Sequence, residues 1–433
     1  MDTALPDHPT LPVRTGTEAF RALRTDGARL LRRIDELGRI GADPLGGVTR
    51  PAFGADDRRA QRYLRAEAAA AGLRTEVDPA GNVVIRQAHA QVPGPVVLMG
   101  SHLDTVINGG RLDGAYGVLA ALEVMQTVAD AGVELAHTPV AVAFANEEGA
   151  LFPQPFWGSM ALTGQTRRLP DDPRDRHGNP LAGPLRQAGG DLTQLSRAAW
   201  PPHSVRAYLE LHIEQGPVLE ELNLPIGVVT DIVGRVVHDI RVLGRAGHAG
   251  TTPMGSRRDA AVAMSHIVIA AERTAAAGRC RVATAGCVTV SPGATNVIPN
   301  EAVLSVEFRD ESPARLADAA ASFLADLRTV SELTGCEILA EETLRTVPVP
   351  TDPGLQDLIA SCADGLGHGH TRLPSGAGHD AQIVAAVAPT GMIFVPSLKG
   401  LSHTPEEDTA PADLVAGADV LLRAALALGS GHP

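Results

Sequence analysis

The sequence predicts an α/β protein, a mixed, mostly parallel sheet with flanking helices, interrupted by a smaller α+β insertion. Three observations carry this. An apolar run at Val96 to Met99, an amphipathic stretch from Asp113 to Gly132 and a second apolar run at 140–145 follow one another at the spacing of a βαβ unit. Each apolar run ends in a polar cluster, Ser101 to Thr105 after the first and Glu147–Glu148 after the second, as happens where the carboxyl ends of sheet strands gather ligands. From about 226 to 343 the pattern changes to alternating, half-solvated strands interleaved with two helical stretches, and then reverts.

Taken in order, residues 17–40 and 56–72 have helical periodicity with arginines on the polar face. "GNVVIR" reads as a short strand, and "PGPVVLMGSHLDTV" as a Pro-Gly breaker, a strand and a polar end. In the helix over 113–132, Val118, Leu122 and Met125 share one face and Gly132 ends it. Residues 165–206, rich in Pro, Asp, Arg and Gly, read as a long excursion with one short helix near 190–198, and "AYLELHIEQG" as an alternating strand. "VVHDIRVLG", "GCVTVSPG" and "AVLSVEFRD" with helices at about 257–278 and 312–334 give the β-α-β-β-α pattern of a ferredoxin-like α+β domain. "MIFVPS" and a closing helix over 411–428 restore the α/β character. The expected domains are thus 1–225 with 344–433, around an insertion at 226–343.

At 433 residues the chain is long for one ordinary domain. Its hydrophobic fraction of 44% supplies a large core, and 3% aromatics means that Ala, Val and Leu build it. A net charge of −13 argues against a nucleic-acid partner, which would ask for a basic surface. The cysteines, at 280, 287, 336 and 362, form no CxxC pair, so neither a disulfide framework nor a thiolate zinc site is expected. The first twenty residues contain no apolar core of a signal peptide, and no window reaches the roughly 20 apolar residues of a membrane span. The expectation is a cytoplasmic protein with no membrane partner.

Glu147 and Glu148 pose an electrostatic problem: two adjacent carboxylates follow a strand that belongs in a core. A surface turn would explain them, but other polar residues converge on the same sheet edge. His102 follows one strand, Asp113 opens the next helix, Glu148 follows the neighbouring strand, His212 lies in "LELHIEQG", and His403 sits in the loop "GLSHTPEED". Singly each has an ordinary explanation, an Asp at a helix start being a common cap. Together they form a set of imidazoles and carboxylates without thiolate, which suits Zn, Mn, Co or Ni. Asp104, two residues beyond His102, can accept a hydrogen bond from the ring nitrogen that faces away from a metal.

With these residues in view, the chain resembles the M20-type metallohydrolases and, within them, the amidase/hydantoinase/carbamoylase branch. That branch holds N-carbamoyl-L-amino acid hydrolases, β-ureidopropionases and allantoate amidohydrolases. The segments that carry the resemblance are "GSHLDTVINGGRLDGAYGVLAALE", "FANEEGALF", "LELHIEQGPVLE", "GRAGHAGTTPM", "TNVIPN", "SGAGHDA" and "MIFVPSLKGLSHTPEE", which run through nearly the whole chain in order. The resemblance implies two divalent metal ions per subunit, zinc first, with Mn, Co or Ni as alternatives. Asp113 would bridge them, His102 and His212 would serve one and Glu148 and His403 the other. Peptidase relatives usually carry a carboxylate where His212 stands. Bridged metals lower the pKa of a water held between them, and Glu147 would be its general base.

The substrate implied is a small carboxylate-bearing ureido or amide compound, an N-carbamoyl-L-amino acid in the leading reading. Allantoate or a β-ureido acid is the alternative, and a dipeptide or acylated amino acid a further one. Arg309 and Asn296 would bind its carboxylate, and His248 would polarise the carbonyl. Gln215, Gly378 and His379 would also face it. By residues alone, Arg309 in "VEFRD" reads first as an ordinary strand arginine paired with Glu307 or Asp310, and the resemblance reverses that preference. The resemblance further implies that the insertion acts as a lid and as the interface of a homodimer. The sequence departs from the family's wording at Ile107, at Phe156 and Trp157 beside the glutamates, and in "IVGRVVHDI".

Overall fold

The structure, a computed structural model, describes residues 22–88 and 94–430. The amino-terminal stretch on which the absence of a signal peptide was judged, and residues 17–21 of the first expected helix, lie outside them. The chain divides into two compact units, one running up to Thr230 and resuming at Thr351, the other Asp231–Pro350 between them.

The first unit begins with α1 (Gly27–Gly38) and α2 (Ala55–Ala70). Helix α1 starts at Gly27 because the Asp26 side chain caps it by accepting the Arg29 N–H at 3.0 Å. Strands β1 (Leu73–Val77), β2 (Val83–Gln87) and β3 (Val96–His102) follow, then α3 (Ala115–Asp130) and β4 (Pro139–Phe144). The excursion before β5 (Val205–Ile213) holds α4 (Trp157–Leu162), α5 (Ala182–Ala188) and 3-10 turns, the last at Leu192–Ala198. Helix α6 (Val218–Leu222) leads into β6 (Ile226–Ile232).

After the second unit come α9 (Pro353–Leu366), β14 (His370–Ser375), α10 (Asp380–Val384), β15 (Thr390–Val395) and α11 (Pro411–Gly429). The sheet runs β1-β2-β4-β3-β5-β15-β6, with β14 beside β6. Its centre, β4-β3-β5-β15, is parallel, and its margins β1-β2-β4 and β15-β6 are antiparallel. It is the expected mixed sheet with flanking helices.

Strand β5, read as alternating, has no solvated face. It lies between two parallel neighbours and is buried on both faces. Ala207, Leu209, Leu211 and Ile213 join the main core with α1, α2, α3, α9 and α11. The alternate positions Tyr208, Glu210 and His212 therefore turn to the other face. There Tyr208 meets Phe144, and His212 meets Phe394 and His379. The arginines of α1 also depart from expectation. Arg33 is buried and pairs with Glu67 (2.8 Å) and the fully buried Glu123 of α3 (2.9 Å), which Arg29 also grips (2.6 Å).

The second unit contains β7 (Gly234–Leu243), β8 (Gly247–His248), α7 (Ala260–Ala276), β9 (Val282–Ser291), β10 (Val297–Ile298), β11 (Glu301–Asp310), α8 (Pro313–Thr334), β12 (Glu337–Thr346) and β13 (Val349–Pro350). Its sheet has the order β12-β7-β11-β9, every pair antiparallel. Val236, Ile240 and Val242 of β7 and Leu304, Val306 and Phe308 of β11 pack against Ile267 of α7 and Leu316, Phe323 and Leu327 of α8. Strand β12 completes a β-α-β-β-α-β order across the expected boundary at 343. At the other boundary, the first residues of β6 pair with β15 in the first unit.

Candidate metal centre

The carboxyl ends of β3, β4 and β5 and two loops bring the five candidate ligands into two overlapping groups. His102 ends β3, His212 stands next to last in β5, and Asp113 lies two residues before α3. Glu148 is in the turn after β4, and His403 in the loop between β15 and α11. The ligating atoms of His102, Asp113 and His212 lie within 4.8 Å of one another, as do those of Asp113, Glu148 and His403. Asp113 belongs to both. Its Oδ1 is 3.1 Å from His212 Nε2 and its Oδ2 2.9 Å from His403 Nε2. His403 Nε2 is also 3.6 Å from Glu148 Oε1.

The ring orientations test whether this set suits a cation. His102 Nδ1 is 2.9 Å from the Asp104 carbonyl oxygen, and His212 Nδ1 is 2.9 Å from that of Ile213. A carbonyl only accepts, so each Nδ1 carries the proton and each Nε2 presents a lone pair. The Gly114 amide donates to His212 Nε2 at 3.2 Å, which fits that assignment. An imidazole lone pair and a carboxylate oxygen facing one another need positive charge between them. Glu148 Oε1 is buried with no hydrogen-bond partner. Gly114 lets the backbone approach, since a Cβ there would stand 2.3 Å from the His102 ring and its φ is +64°. The set fits a divalent first-row metal.

Without a cation, protons answer the same demand. Burial alone would lower His212, yet the hydrogen bond and charge of Asp113 bring it up to about 9. The hydrogen bond to Asp113 does the same for His403, also to about 9. Burial opposes ionisation of Asp113, but its bonds to both histidines hold it well below the usual carboxylate range. Glu148 goes the other way, pushed up to about 8 by burial and by the charge of Asp113.

Glu147 is buried, and its Oε2 lies 3.7 Å from His102 Nε2. Burial, then the charge of Glu148, pushes its carboxyl well above the ordinary range. The bond expected from the Asp104 carboxylate to the His102 ring is not made. Its Oδ1 is 3.9 Å from Nδ1, and the ring is held by the Asp104 main-chain carbonyl instead. The carboxylate is taken by the turn after β4: Oδ1 accepts the Glu147 amide and Oδ2 the Glu148 amide, each at 3.2 Å. One acidic residue thus orients a histidine with its backbone and two glutamates with its side chain.

The remaining expected residues of this unit gather around the same place. Gln215, at φ +60°, donates from Nε2 to Asp113 Oδ2 at 3.2 Å, and its Oε1 is buried without a partner. The His379 ring stands 4.6 Å from that of His212, with Nε2 2.8 Å from Ser375 Oγ. At Gly378 a Cβ would come within 3.0 Å of Phe156 Cζ. Phe156, half-buried, donates its amide to the Glu147 carbonyl at 3.0 Å. Trp157 does not face this region: it is buried among Phe53, Phe152 and Met160, with Nε1 on the Ala80 carbonyl.

In the second unit, the exposed His248 and Val297 pair across β8 and β10, and the Ala249 amide bonds the carbonyl of the exposed Asn296 at 3.0 Å. Val306 and Phe308 of β11 are buried, while Glu307 and Arg309 lie on the opposite face and bond one another. Arg309 therefore makes the strand pair that its local sequence suggested.

Residues 98–427 match peptidase family M20/M25/M40. The chain belongs to that family. Within the M20 proteins it falls in the amidase/hydantoinase/carbamoylase branch. It is 39% identical to the N-carbamoyl-L-amino acid amidohydrolase of Geobacillus stearothermophilus over 94% of this chain and 99% of that one. It is 38% identical to the allantoate amidohydrolase of Escherichia coli K12 over 89% of this chain and 94% of that one. A crystal structure of a hydantoinase/carbamoylase family amidase from Burkholderia multivorans superposes with a TM-score of 0.85 at 36% identity, covering 95% of this chain and all of that one. M20 metallohydrolases use divalent metals, and this M20 chain is a hydrolase with a residue set to hold them. Among its described residues no helix is long and apolar enough to cross a membrane.

Three buried acids around this M20 centre were not singled out from sequence. Glu210, two residues before His212 on the same face of β5, accepts from Ser101, Tyr208 and the Ala381 amide. Asp380, beside His379, accepts from Ser159 Oγ at 2.5 Å. Glu407, four residues beyond His403, accepts from the Leu112 and Asp113 amides. For Glu407 there was a signal: Glu406–Glu407 repeats, next to a candidate histidine, the adjacent-glutamate pattern of 147–148.

Proposed function

We propose that the chain is a binuclear metal-dependent amidohydrolase that cleaves the carbamoyl C–N bond of N-carbamoyl-L-amino acids or related ureido acids. The observation that carries this is the pair of candidate ligand groups meeting at Asp113 with Glu147 beside them. Its relatives' names supply the substrate class. His102, Asp113 and His212 would hold one divalent ion and Asp113, Glu148 and His403 the other. Zinc suits the imidazole and carboxylate donors best, with Mn, Co or Ni as alternatives. Bound there, such ions would supply Lewis acidity, which polarises a carbonyl and makes the attacking water more acidic.

Glu147 takes a proton from the attacking water at its carboxylate and returns it to the leaving nitrogen as the C–N bond breaks. Cations at the two ligand groups would offset the upward push that burial and Glu148 exert on that carboxyl. Asp104 keeps Glu147 aimed by holding its amide. Gln215 and His379, with the Gly378 backbone, line the substrate's approach. To the second unit we assign Arg309 and Asn296 as binders of the substrate carboxylate and His248 as donor to its carbonyl oxygen. We also assign it the contact that pairs two subunits into a homodimer.

The test is hydrolysis by chelated and then metal-reconstituted protein, read as ammonia release from the carbamoyl and ureido compounds and as free amino acid from the acylated amino acids and dipeptides. The panel is N-carbamoyl-α-amino acids, N-carbamoyl-β-alanine, allantoate, N-acetyl amino acids and dipeptides. Turnover of carbamoyl amino acids that vanishes on chelation and returns with Zn2+ or Mn2+ is expected. Activity on dipeptides alone would remove the branch's chemistry, and activity that survives chelation would remove the metals. A second reading, allantoate as the substrate, draws on the 38% identity to the Escherichia coli enzyme and predicts that allantoate leads the panel.

A further inference from the structure

Each histidine of the first ligand group lies within the last two residues of a strand, with its ring fixed by a main-chain carbonyl. His403 has neither support. It sits in a loop at φ +59°, its side chain is 49% exposed, and among the described residues its Nε2 pairs with the carboxylates it would share a metal with. What holds that loop against Asp113 is Glu407. The Glu407 side chain is buried, with Oε1 accepting the amides of both Leu112 and Asp113, at 2.9 and 3.0 Å. Its Oε2 accepts the hydroxyl of Ser402, the residue before His403, at 2.7 Å. The backbone leaves room for this arm, since a Cβ at Gly110 would stand 2.0 Å from Oε1. One carboxylate therefore spans from the residue before His403 to the amide of Asp113 itself.

We propose that Glu407 is a positioning residue that keeps the His403 imidazole and the Asp113 carboxylate in register, so that the Asp113–Glu148–His403 group retains its divalent cation. This rests on the binuclear reading above and deepens it. It assigns a job to a residue that would touch neither metal nor substrate. Residues that hold a ligand in place typically contribute about 10–100-fold to metal affinity. The loss falls on the His403 group first, because His102 and His212 keep their own anchors.

The experiment titrates Zn2+ into chelator-stripped protein against a chromophoric competitor. Wild type is compared with Glu407→Ala, Glu407→Asp and Glu407→Gln, and His403→Ala and His102→Ala serve as references for losing one group or the other. Glu407→Ala is expected to weaken one of two binding steps by about 10–100-fold, in the pattern of His403→Ala. Glu407→Asp, charged but one methylene short of spanning both ends, should share the defect, and it stands in if the alanine variant does not fold. Glu407→Gln can accept both amides with its oxygen and donate to Ser402, so it should restore most of the affinity. Two steps of wild-type strength in Glu407→Asp overturn the proposal, as does a defect patterned on His102→Ala or one that Gln fails to relieve. A wild-type protein that binds no Zn2+ overturns instead the binuclear reading beneath it.

Discussion

Glu147 and Glu148 are neighbours in sequence and opposites in circumstance. Both are pushed upward, but Glu148 lies with His403 and Asp113 in a candidate ligand group, while Glu147 lies outside both groups, 3.7 Å from His102. Substitution should separate them. Glu147→Gln is expected to keep its metal content, read by elemental analysis, and to lose about 10^2–10^4-fold in kcat, the usual worth of a positioned acid–base group. A variant of near-normal kcat would take Glu147 out of the reaction. At this scale the sequence was a good guide to residue type and poor at hydrogen bonding. The five candidate ligands converge as their motifs suggested. The Asp104 carboxylate went elsewhere, because two amides four decades of residues away, in the turn after β4, reached it first. Spacing along one strand cannot report a partner on another.

Helix α3 carries the first candidate carboxylate at its start and a buried ionic cluster along its length. Glu123 is fully buried and receives Arg33, Arg29 and the Asp26 amide, so that the capped start of α1 is fixed to the middle of α3. Glu123→Ala would leave Arg33, itself 2% exposed, without one of its two carboxylates. A loss of about 3–5 kcal/mol is expected in urea unfolding of the metal-free protein, the cost of removing one partner from a buried pair. A loss below 1 kcal/mol, the range of exposed pairs, would show the cluster to be solvated. Periodicity placed α2 and α3 to within a few residues, but the first helix, expected over 17–40, is interrupted at 23–26 and runs only from Gly27 to Gly38, and its arginines were put on a polar face. An amphipathic pattern cannot distinguish water from a buried acid on a neighbouring helix as the partner of a charge.

Over the whole molecule, the candidate centre makes stability depend on pH in a stated direction. His212 and His403 are raised from an ordinary value near 6.5 to about 9 in the absence of a cation. A raised histidine stabilises the fold fully below its unfolded pKa, and that stabilisation is lost as pH rises through the folded value. Glu148, raised to about 8, favours the protonated fold in the same way. The chelated protein should therefore lose thermal stability between about pH 6.5 and 9, while the metal-loaded protein, whose ligands bind deprotonated, should not. Calorimetry of both forms across that range checks it, and parallel Tm curves would contradict it. The βαβ unit and the mixed sheet were legible because period-2 and period-3.6 patterns survive in any single sequence. Strand β12 runs through the expected limit at 343, whereas β6 begins at the expected limit of 226 and continues past Thr230, where the first unit ends.

The place of Asp113 in both groups carries one more consequence. Two cations that meet at a single carboxylate cannot have independent affinities: the first changes the charge and the geometry that greet the second. Thermodynamic reciprocity then requires that whatever factor one occupancy imposes on the other be returned unchanged. A substitution that costs the His403 group its cation would then also remove that factor from binding at His102 and His212. Were both groups filled, Asp113 would be the side chain through which one cation is felt by the other.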